Sequence, residues 1–517
     1  MDNIILKKLP IGIQTFSEII ELDYLYIDKT EDALNLTESY KYAFLSRPRR
    51  FGKSLFLSTL KEIFEGNQEF FEGLYIYNKW DWSVSYPVVT IDFSGDMRTP
   101  ESLKQTILDT LIYNQERLNI SCKNSHIYDS CFQELIRKAY NKYNQKVVIL
   151  IDEYDKAILD NLDQLDIATQ NREILRAFYS KIKTSDRYIK FVFITGVSKF
   201  SKASIFSGLN MLEDITLTPR FGNICGYTQN DIETTILPYL KGVDLNKLKE
   251  WYNGYNFLKD RVYNPFDILK FIKNDFVYDN YWFASGTPSF LIKLIKEQKY
   301  HLPKLENIRV GGELLNSFDI NNLKLEIILF QAGYLTIEKV VEKRRGGFNY
   351  YLKMPNKEVQ ISFYDMVINY IINQSEEKSQ YQDDLYDALY DADFEIFKNS
   401  LVSIFASIPY NNYVKNSIAE YEGFYASVVY IYLSSLGIEL IAEDVTNRGR
   451  IDLTIKLNNN IFIIEFKVGK ANALNQIKSR NYHQKYLNEN KNVYLVGINF
   501  DKKDKNISKF EWEEVIK

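Results

Sequence analysis

Apolar runs and helical segments alternate along the first 200 residues of the chain. Lys41–Ser46 (KYAFLS), Val88–Phe93 (VVTIDF), Lys146–Ile151 (KVVILI) and Tyr188–Thr195 (YIKFVFIT) are apolar runs rich in β-branched and aromatic residues, as expected of strands buried on both faces. Lys53–Phe64 and Asn171–Thr184 read as helices lying between them. This order predicts an α/β fold with a parallel sheet and crossover helices.

From about Gly226 the pattern turns mostly helical. Between Leu323 and Ile372 a helix leads into GYLTIEKV, a basic turn at Arg344–Gly347, a second strand FNYYLKM and another helix. This order suggests a winged-helix module, with a helical lid carrying a plain hairpin as the alternative. Ser375–Ile396 holds eight acidic residues and one lysine, and reads as a solvated helix at a domain boundary. The last stretch returns to mixed α/β. The expected division is residues 1–225, 226–375, an acidic linker 376–410, and 411–517.

The length of 517 residues allows about three domains, and 45% hydrophobic residues allow large cores, which excludes wholesale disorder. Net charge is −4, so nucleic-acid contact has to come from local patches. Three cysteines exclude a disulfide framework and a four-cysteine zinc site, and three histidines argue against a multi-histidine metal centre. A hard cation on carboxylates is the metal chemistry left. The start, MDNIILKKLPIG, lacks the apolar core of a secretory signal. Gly437 and Glu439 split the weakly charged Tyr425–Ala442 into a helix and a strand, short of the ~20 apolar residues of a membrane helix. A cytoplasmic protein with no membrane partner is expected.

The first predicted strand runs into Arg47-Pro48-Arg49-Arg50-Phe51-Gly52-Lys53-Ser54 and then a helix. A phosphate loop GxxxxGK[ST] uses backbone N–H groups, a lysine and a Mg²⁺-binding hydroxyl in this place. Arg47 stands where the first glycine belongs, so the bare pattern fails while its GKS end is intact; a basic surface turn is the alternative. The loop arginines would supply positive charge for a triphosphate. The Lys146–Ile151 strand ends in Asp152-Glu153, placed to hold Mg²⁺ and to polarise the attacking water. One other strand lies between the two motifs, as in an additional-strand ATPase sheet. Thr195, and after it Ser198, are placed to sense a γ-phosphate, with a plain strand-end cap as the alternative; Arg220 is a weaker arginine-finger candidate.

Near the C-terminus, Gly449–Asp452, a turn at Asn458–Asn460 and Ile461–Phe466 form an expected hairpin centred on Asn459. Asp452 then faces the Glu465–Lys467 segment, and Glu465 shares a face with Lys467. Two carboxylates and an ammonium at one point can hold Mg²⁺ or Mn²⁺, activate water and steady a phosphodiester in reaction. Glu422 is a further candidate carboxylate, and Gln476 lies on a following helix. The alternative is an exposed hairpin with cross-strand ion pairs. From Lys467 through Lys505 there are nine Lys/Arg against three Asp/Glu, which suits a polyanion.

Taken together, LPIGIQTF, YLYIDKT, FLSRPRRFGKSLFLSTL, ILIDEYDKAI, ITGVSKFSKASIFSGLNML, WYNGYNF with VYNPFDIL, GYLTI with MPNKEV, YEGFYASVVY, AEDVTNRGRIDLTI and IIEFKVGKANALNQI resemble the ordered blocks of a known family. It is that of prokaryotic AAA-ATPase-like proteins with a C-terminal PD-(D/E)XK nuclease superfamily domain, and the resemblance spans nearly the whole chain. It implies a P-loop (AAA/ASCE-type) parallel-sheet ATPase, a helical and winged-helix-like middle region, and a restriction-endonuclease-like α/β domain. It implies ATP and Mg²⁺ (Mn²⁺ as alternative), with Lys53, Ser54, Asp152 and Glu153 carrying the ATP chemistry and Glu153 catalytic; Arg49, Arg50, Phe51 and Gly52 join the expected nucleotide site by their place in the loop, and Thr195 by its place at the strand tip. It further implies a nuclease-type site of Glu422, Asp452, Glu465, Lys467 and Gln476, with nucleic acid, DNA first, as partner and self-association left open. Two functions follow: an ATP-regulated metal-dependent nuclease, or an ATP-dependent switch that binds nucleic acid or a partner without cutting it.

Overall fold

The computed structural model describes residues 6–199, 205–206, 209–283, 305, 308–315, 324–369, 378–408 and 422–515. The chain forms two compact units: Met1–Phe290 with Arg309–Asn356, and Leu291–Ile308 with Lys357–Lys517.

In the first unit the four expected strands form at the expected places. They are β1 (Tyr42–Ser46), β2 (Val88–Asp92), β3 (Val147–Asp152) and β4 (Ile189–Gly196), joined at the edge by a short β5 (Glu213–Asp214). The order is β2-β3-β4-β1-β5 and every pair is parallel. β4 thus separates β1 from β3, so the two motif-bearing strands are not neighbours. β1 and β3 are buried along their whole length, which explains their unbroken apolar sequence. Helix α1 (Lys53–Glu65) lays Phe56, Leu60, Ile63 and Phe64 on this sheet, each burial stabilising by about 1.5–3 kcal/mol. The helix Pro100–Arg117 starts at Thr99, whose hydroxyl accepts from the Ser102 N–H, with proline at its first position.

A second sheet in this unit joins β6 (Tyr227–Thr228), β7 (Asn253–Asn256) and β8 (Arg261–Tyr263) in the order β6-β8-β7. The expected wing is β10 (Thr336–Glu342) and β11 (Phe348–Lys353), preceded by a helix Leu325–Ala332. The periodicity did not disclose a third strand, β9 (Ile308–Gly311), which pairs with β11 and leaves β10 at the edge.

The second unit contains an antiparallel-rich sheet in the order β12-β13-β14-β15-β16, with β14 and β15 parallel. Its strands are β12 (Glu439–Thr446), β13 (Gly449–Leu457), β14 (Asn460–Val468), β15 (Asn492–Phe500) and β16 (Ile507–Glu514). Helix Glu422–Ser435 precedes β12, with Gly437 at φ +65° between them, as the split of Tyr425–Ala442 predicts. The acidic segment is not the solvated linker expected. Helix Lys378–Asp391 buries Leu385, Ala388 and Leu389 while its aspartates face outward, and the next helix stacks Phe394 on Trp512 of β16 at 4.2 Å. Charge marked the outer face only.

The hairpin turn also differs from expectation by half a residue. Leu457 pairs with Asn460 and Asn458 takes φ +53°, so the turn holds only Asn458 and Asn459. Leu453 pairs with Ile464, which sets Asp452 beside Glu465 rather than opposite Phe466.

The link from β14 to β15 runs through helix α2 (Ala473–Arg480), whose Leu474 and Ile477 pack on Ile461, Ile463 and Leu495. α2 lies so close to β15 that a Cβ on Gly497 would fall 2.4 Å from the Leu474 nitrogen. Gly497→Ala is therefore expected to destabilise this unit by about 1–3 kcal/mol through overpacking. A denaturation midpoint equal to wild type would contradict this seating of the helix.

Candidate functional site

The phosphate-loop candidate is built by the turn from β1 into α1. Gly52 caps α1 with φ +88°, no side chain caps the helix and no acidic residue stands in its first turn. Its first N–H groups and its dipole are therefore open to an anion. Lys53 is buried, and its Nζ donates to the carbonyls of Arg47 and Pro48, both at 3.0 Å. Burial pushes its pKa down, opposed by the Asp152 carboxylate. Ser54 follows, half-buried.

Arg47 does not add charge for a triphosphate, as the sequence suggested. Its guanidinium is buried, donates to the carbonyls of Ser46 (2.9 Å), Thr216 (2.9 Å) and Phe221 (3.1 Å), and lies 3.9 Å over the Phe257 ring. It ties the loop to the chain after β5, and burial lowers its pKa to about 10. Arg49 lies 3.7 Å from Asp160, Arg50 sits 4.7 Å over Phe266 with φ +68°, and Phe51 is buried edge-on to Tyr255 and Phe257. Trp282 donates to the Arg49 carbonyl at 3.2 Å, and a Cβ on Gly333 would meet Pro48 at 2.7 Å. Residues far downstream thus wall the loop on its outer side.

Asp152 ends β3, directly beside Asp92 at the tip of β2. The Thr195 hydroxyl donates to Asp152 Oδ1, so the tip of β4 orients that carboxylate. Glu153 holds φ +51°, a left-handed geometry that is costly for glutamate. Burial and then Asp152 raise its pKa. Ser198 is committed elsewhere: its N–H and Oγ both donate to the buried Asp155, which also accepts from the Val197 N–H. Arg220 donates to Ser39 at 3.1 Å and Asn35 at 2.6 Å. Asp92 and Asp155 were not singled out from sequence; the DEYD spacing alone contained the signal for Asp155.

In the second unit an open cleft of about 680 Å³ is floored by Asp452 and Gln476 and rimmed by Arg448, Arg450 and Arg480. Asp452 Oδ2 accepts from the Phe466 N–H at 2.8 Å, and Gln476 Nε2 donates to Glu465 Oε2 at 2.8 Å. Lys467 Nζ lies 2.6 Å from the Phe466 carbonyl and 3.6 Å from Glu465 Oε2. Asp452, Glu465, Lys467 and Gln476 are thus brought together. Glu422 opens its helix, but its side chain lies outside the described residues. Arg480 belongs to the basic Lys467–Lys505 stretch noted in the sequence, whereas Arg448 and Arg450 went unread because they lie in a separate segment, NRGR.

Glu465 is fully buried, and its Oε1 has no hydrogen-bond partner among the described residues. Burial, and then Asp452, hold its pKa well above the usual carboxylate range. Among the described residues no three Asp, Glu, His or Cys side chains form a metal-binding group. The pair with its orphaned oxygen fits a divalent cation, which would satisfy that oxygen and offset the like charges.

A stability effect follows. A carboxyl with a raised folded pKa binds more protons in the folded than in the unfolded state, so without a cation stability falls as pH rises from about 4.3 towards that raised value. Glu465→Gln mimics the protonated acid and is expected to flatten this slope and raise Tm at pH 8 by on the order of 2–4 °C. Identical Tm–pH curves for the two proteins would contradict the reading.

Comparison with known proteins agrees with these two regions. The family described as "Predicted AAA-ATPase" (AAA-ATPase-like) matches residues 10–206, and the PD-(D/E)XK nuclease superfamily matches residues 420–510. The "uncharacterized protein in vnfD 5' region" of Azotobacter chroococcum mcd 1 is 43% identical over 517 residues, covering 98% of this chain and 99% of that protein. No helix among the described residues is long and apolar enough to cross a membrane. Strands β1 to β4 with their loop and the arginine-rimmed hairpin fall inside the matched segments, while the edge strand β5 lies just beyond the first, and the chain belongs to the AAA-ATPase-like family and carries a C-terminal PD-(D/E)XK nuclease superfamily domain.

Proposed function

We propose that the chain binds and hydrolyses ATP at the β1–α1 loop and cleaves nucleic-acid phosphodiesters, DNA foremost, at the Asp452–Glu465 cleft. Residues 1–225 take the nucleotide work, 226–375 the link, and 411–517 the cleavage, in a cytosolic protein.

At the first site the α1 N-terminus receives phosphate oxygens and Lys53 exchanges its carbonyl partners for them. Arg49 and Arg50 flank the loop, Phe51 fixes its backbone, and Ser54 and Asp152 would hold the Mg²⁺ of the nucleotide. Thr195 keeps Asp152 in place, and Glu153 takes the proton of the attacking water.

At the second site Asp452, Glu465 and the Phe466 carbonyl, with Glu422 as a further ligand, would hold Mg²⁺ or Mn²⁺. The bound ion supplies a water of lowered pKa and neutralises developing charge. Gln476 orients Glu465, Lys467 positions water or stabilises the phosphorane-like charge, and Arg448, Arg450 and Arg480 seat the backbone of the substrate.

The observation that carries this reading is the buried Glu465 oxygen, without a hydrogen-bond partner among the described residues, behind Asp452, which lines an arginine-rimmed cleft. The test is incubation of the purified chain with DNA and RNA panels, with and without ATP, Mg²⁺ and Mn²⁺. Cation-dependent cutting supports it; no cutting of any substrate in any condition overturns it. The low overall basicity of the chain, with its net charge of −4, favours the second reading, an ATP-dependent switch whose C-terminal domain binds nucleic acid or a partner without cleavage. Binding without cutting in the same panels selects it.

A further inference from the structure

The β10–β11 hairpin has no part in either site, yet its outer half is built unlike a core element. From Glu338 to Phe348 every residue except Lys343 is exposed, so both faces of the ribbon stand in solvent. Val340, Val341 and Phe348 are exposed at 37%, 43% and 47%. An edge strand with bare valines on both faces invites pairing unless something covers it.

The charges indicate what covers it. Lys339–Arg345 contains four cations and one carboxylate in a chain whose net charge is −4. Lys353 pairs with Glu338 at 3.5 Å, and Lys339 lies 4.6 Å over the Tyr351 ring. Lys343, Arg344 and Arg345 have no carboxylate partner among the described residues. The turn is closed by its own backbone, with the Lys343 N–H on the Gly347 carbonyl at 2.8 Å, so these cations are presented by an ordered tip. Phe348 follows directly, its ring 6.5 Å from Tyr350.

We propose that this hairpin is a nucleic-acid-binding arm of the ATPase-bearing unit, with Lys343, Arg344 and Arg345 on the phosphodiester backbone and Phe348 against a base or sugar. It takes only the substrate class from the reading above, since the cleavage residues lie in the other unit. A two-stranded ribbon can enter the major groove of a duplex, and an exposed ring beside cations can stack a base of a single strand. A backbone held by cations is common to both.

The test uses the full chain with Asp452→Asn, to prevent cutting, and fluorescence anisotropy on labelled duplex and single-stranded oligonucleotides across a salt series. Arg344→Ala with Arg345→Ala is expected to weaken binding by on the order of tenfold and to lower the slope of log K against log salt by about 2 for duplex. Tm and ATP turnover should stay at the background values, because both tip arginines are exposed. Phe348→Ala is expected to cost on the order of tenfold on single strands if the ring stacks, and little on duplex if the ribbon lies in a groove. Either pattern supports the arm and identifies its ligand. Unchanged affinity and salt slope on both substrates, or no binding by the background protein at all, overturns it. The two readings fail separately. A wild-type chain that never cuts, yet loses binding with the tip arginines, keeps the arm and loses the nuclease; a cutting chain with indifferent tip variants does the reverse.

Discussion

Asp452→Asn and Glu465→Gln should each lower cleavage by on the order of 10³-fold or more while the fold stays intact. The amides keep the shape of the hairpin, including contact with the Phe466 N–H and Gln476, but lose the negative charge that a divalent cation requires. Lys467→Ala should retain cation binding and lose about 10²–10³-fold in rate, the usual cost of one transition-state donor. Direct titration with Mn²⁺ separates these effects from activity: the carboxylate variants should lose the binding isotherm and Lys467→Ala should keep it. Wild-type rates in both carboxylate variants would place the reaction elsewhere. ATP hydrolysis is expected to survive in all three.

The second large effect is at the loop. Lys53→Ala removes a charge-assisted donor to phosphate and should weaken ATP binding by roughly 10–100-fold. Glu153→Gln should bind ATP as wild type does and lose about 10²–10⁴-fold in hydrolysis, the range of a general base. Measuring affinity and turnover on the same samples distinguishes the two. Equal affinities for Lys53→Ala and wild type would refute the loop assignment, and undiminished turnover in Glu153→Gln would refute its role as base.

What was legible in sequence was whatever rested on local pattern. Apolar runs located β1 to β4, most plainly β1 and β3, because a strand buried on both faces has few polar positions to alternate, while β2 and β4 each keep one exposed charged residue, Asp92 and Lys190. Period two along β14 put Glu465 and Lys467 on one face, and a short turn brought Asp452 to them. Arg47 was misread because its charge was visible and its surroundings were not: the carbonyls of Thr216 and Phe221 that accept from it lie about 170 residues onward. The acidic helix misled in the same way, since its three buried apolar residues weigh less to the eye than its aspartates. Ser198 looked like a sensor by position, and only its bonds to Asp155 reveal a structural role. β9 is four residues long, and its alternation of buried Ile308 and Val310 around exposed Arg309 is too short to stand out as a strand.

The wall around the phosphate loop has a consequence for how the protein is made. Pro48, Arg49 and Phe51 rest on Gly333, Trp282 and Tyr255, which leave the ribosome long after the loop itself. At about 5–20 residues per second, the interval between Lys53 and Gly333 is roughly a quarter of a minute to a minute. During that time the sheet strands can pair, but the loop has no outer support and its ordering entropy is not offset. On the proposed function, nucleotide capture is expected only of a chain synthesised past Gly333, and a translation product stalled before it should stay idle.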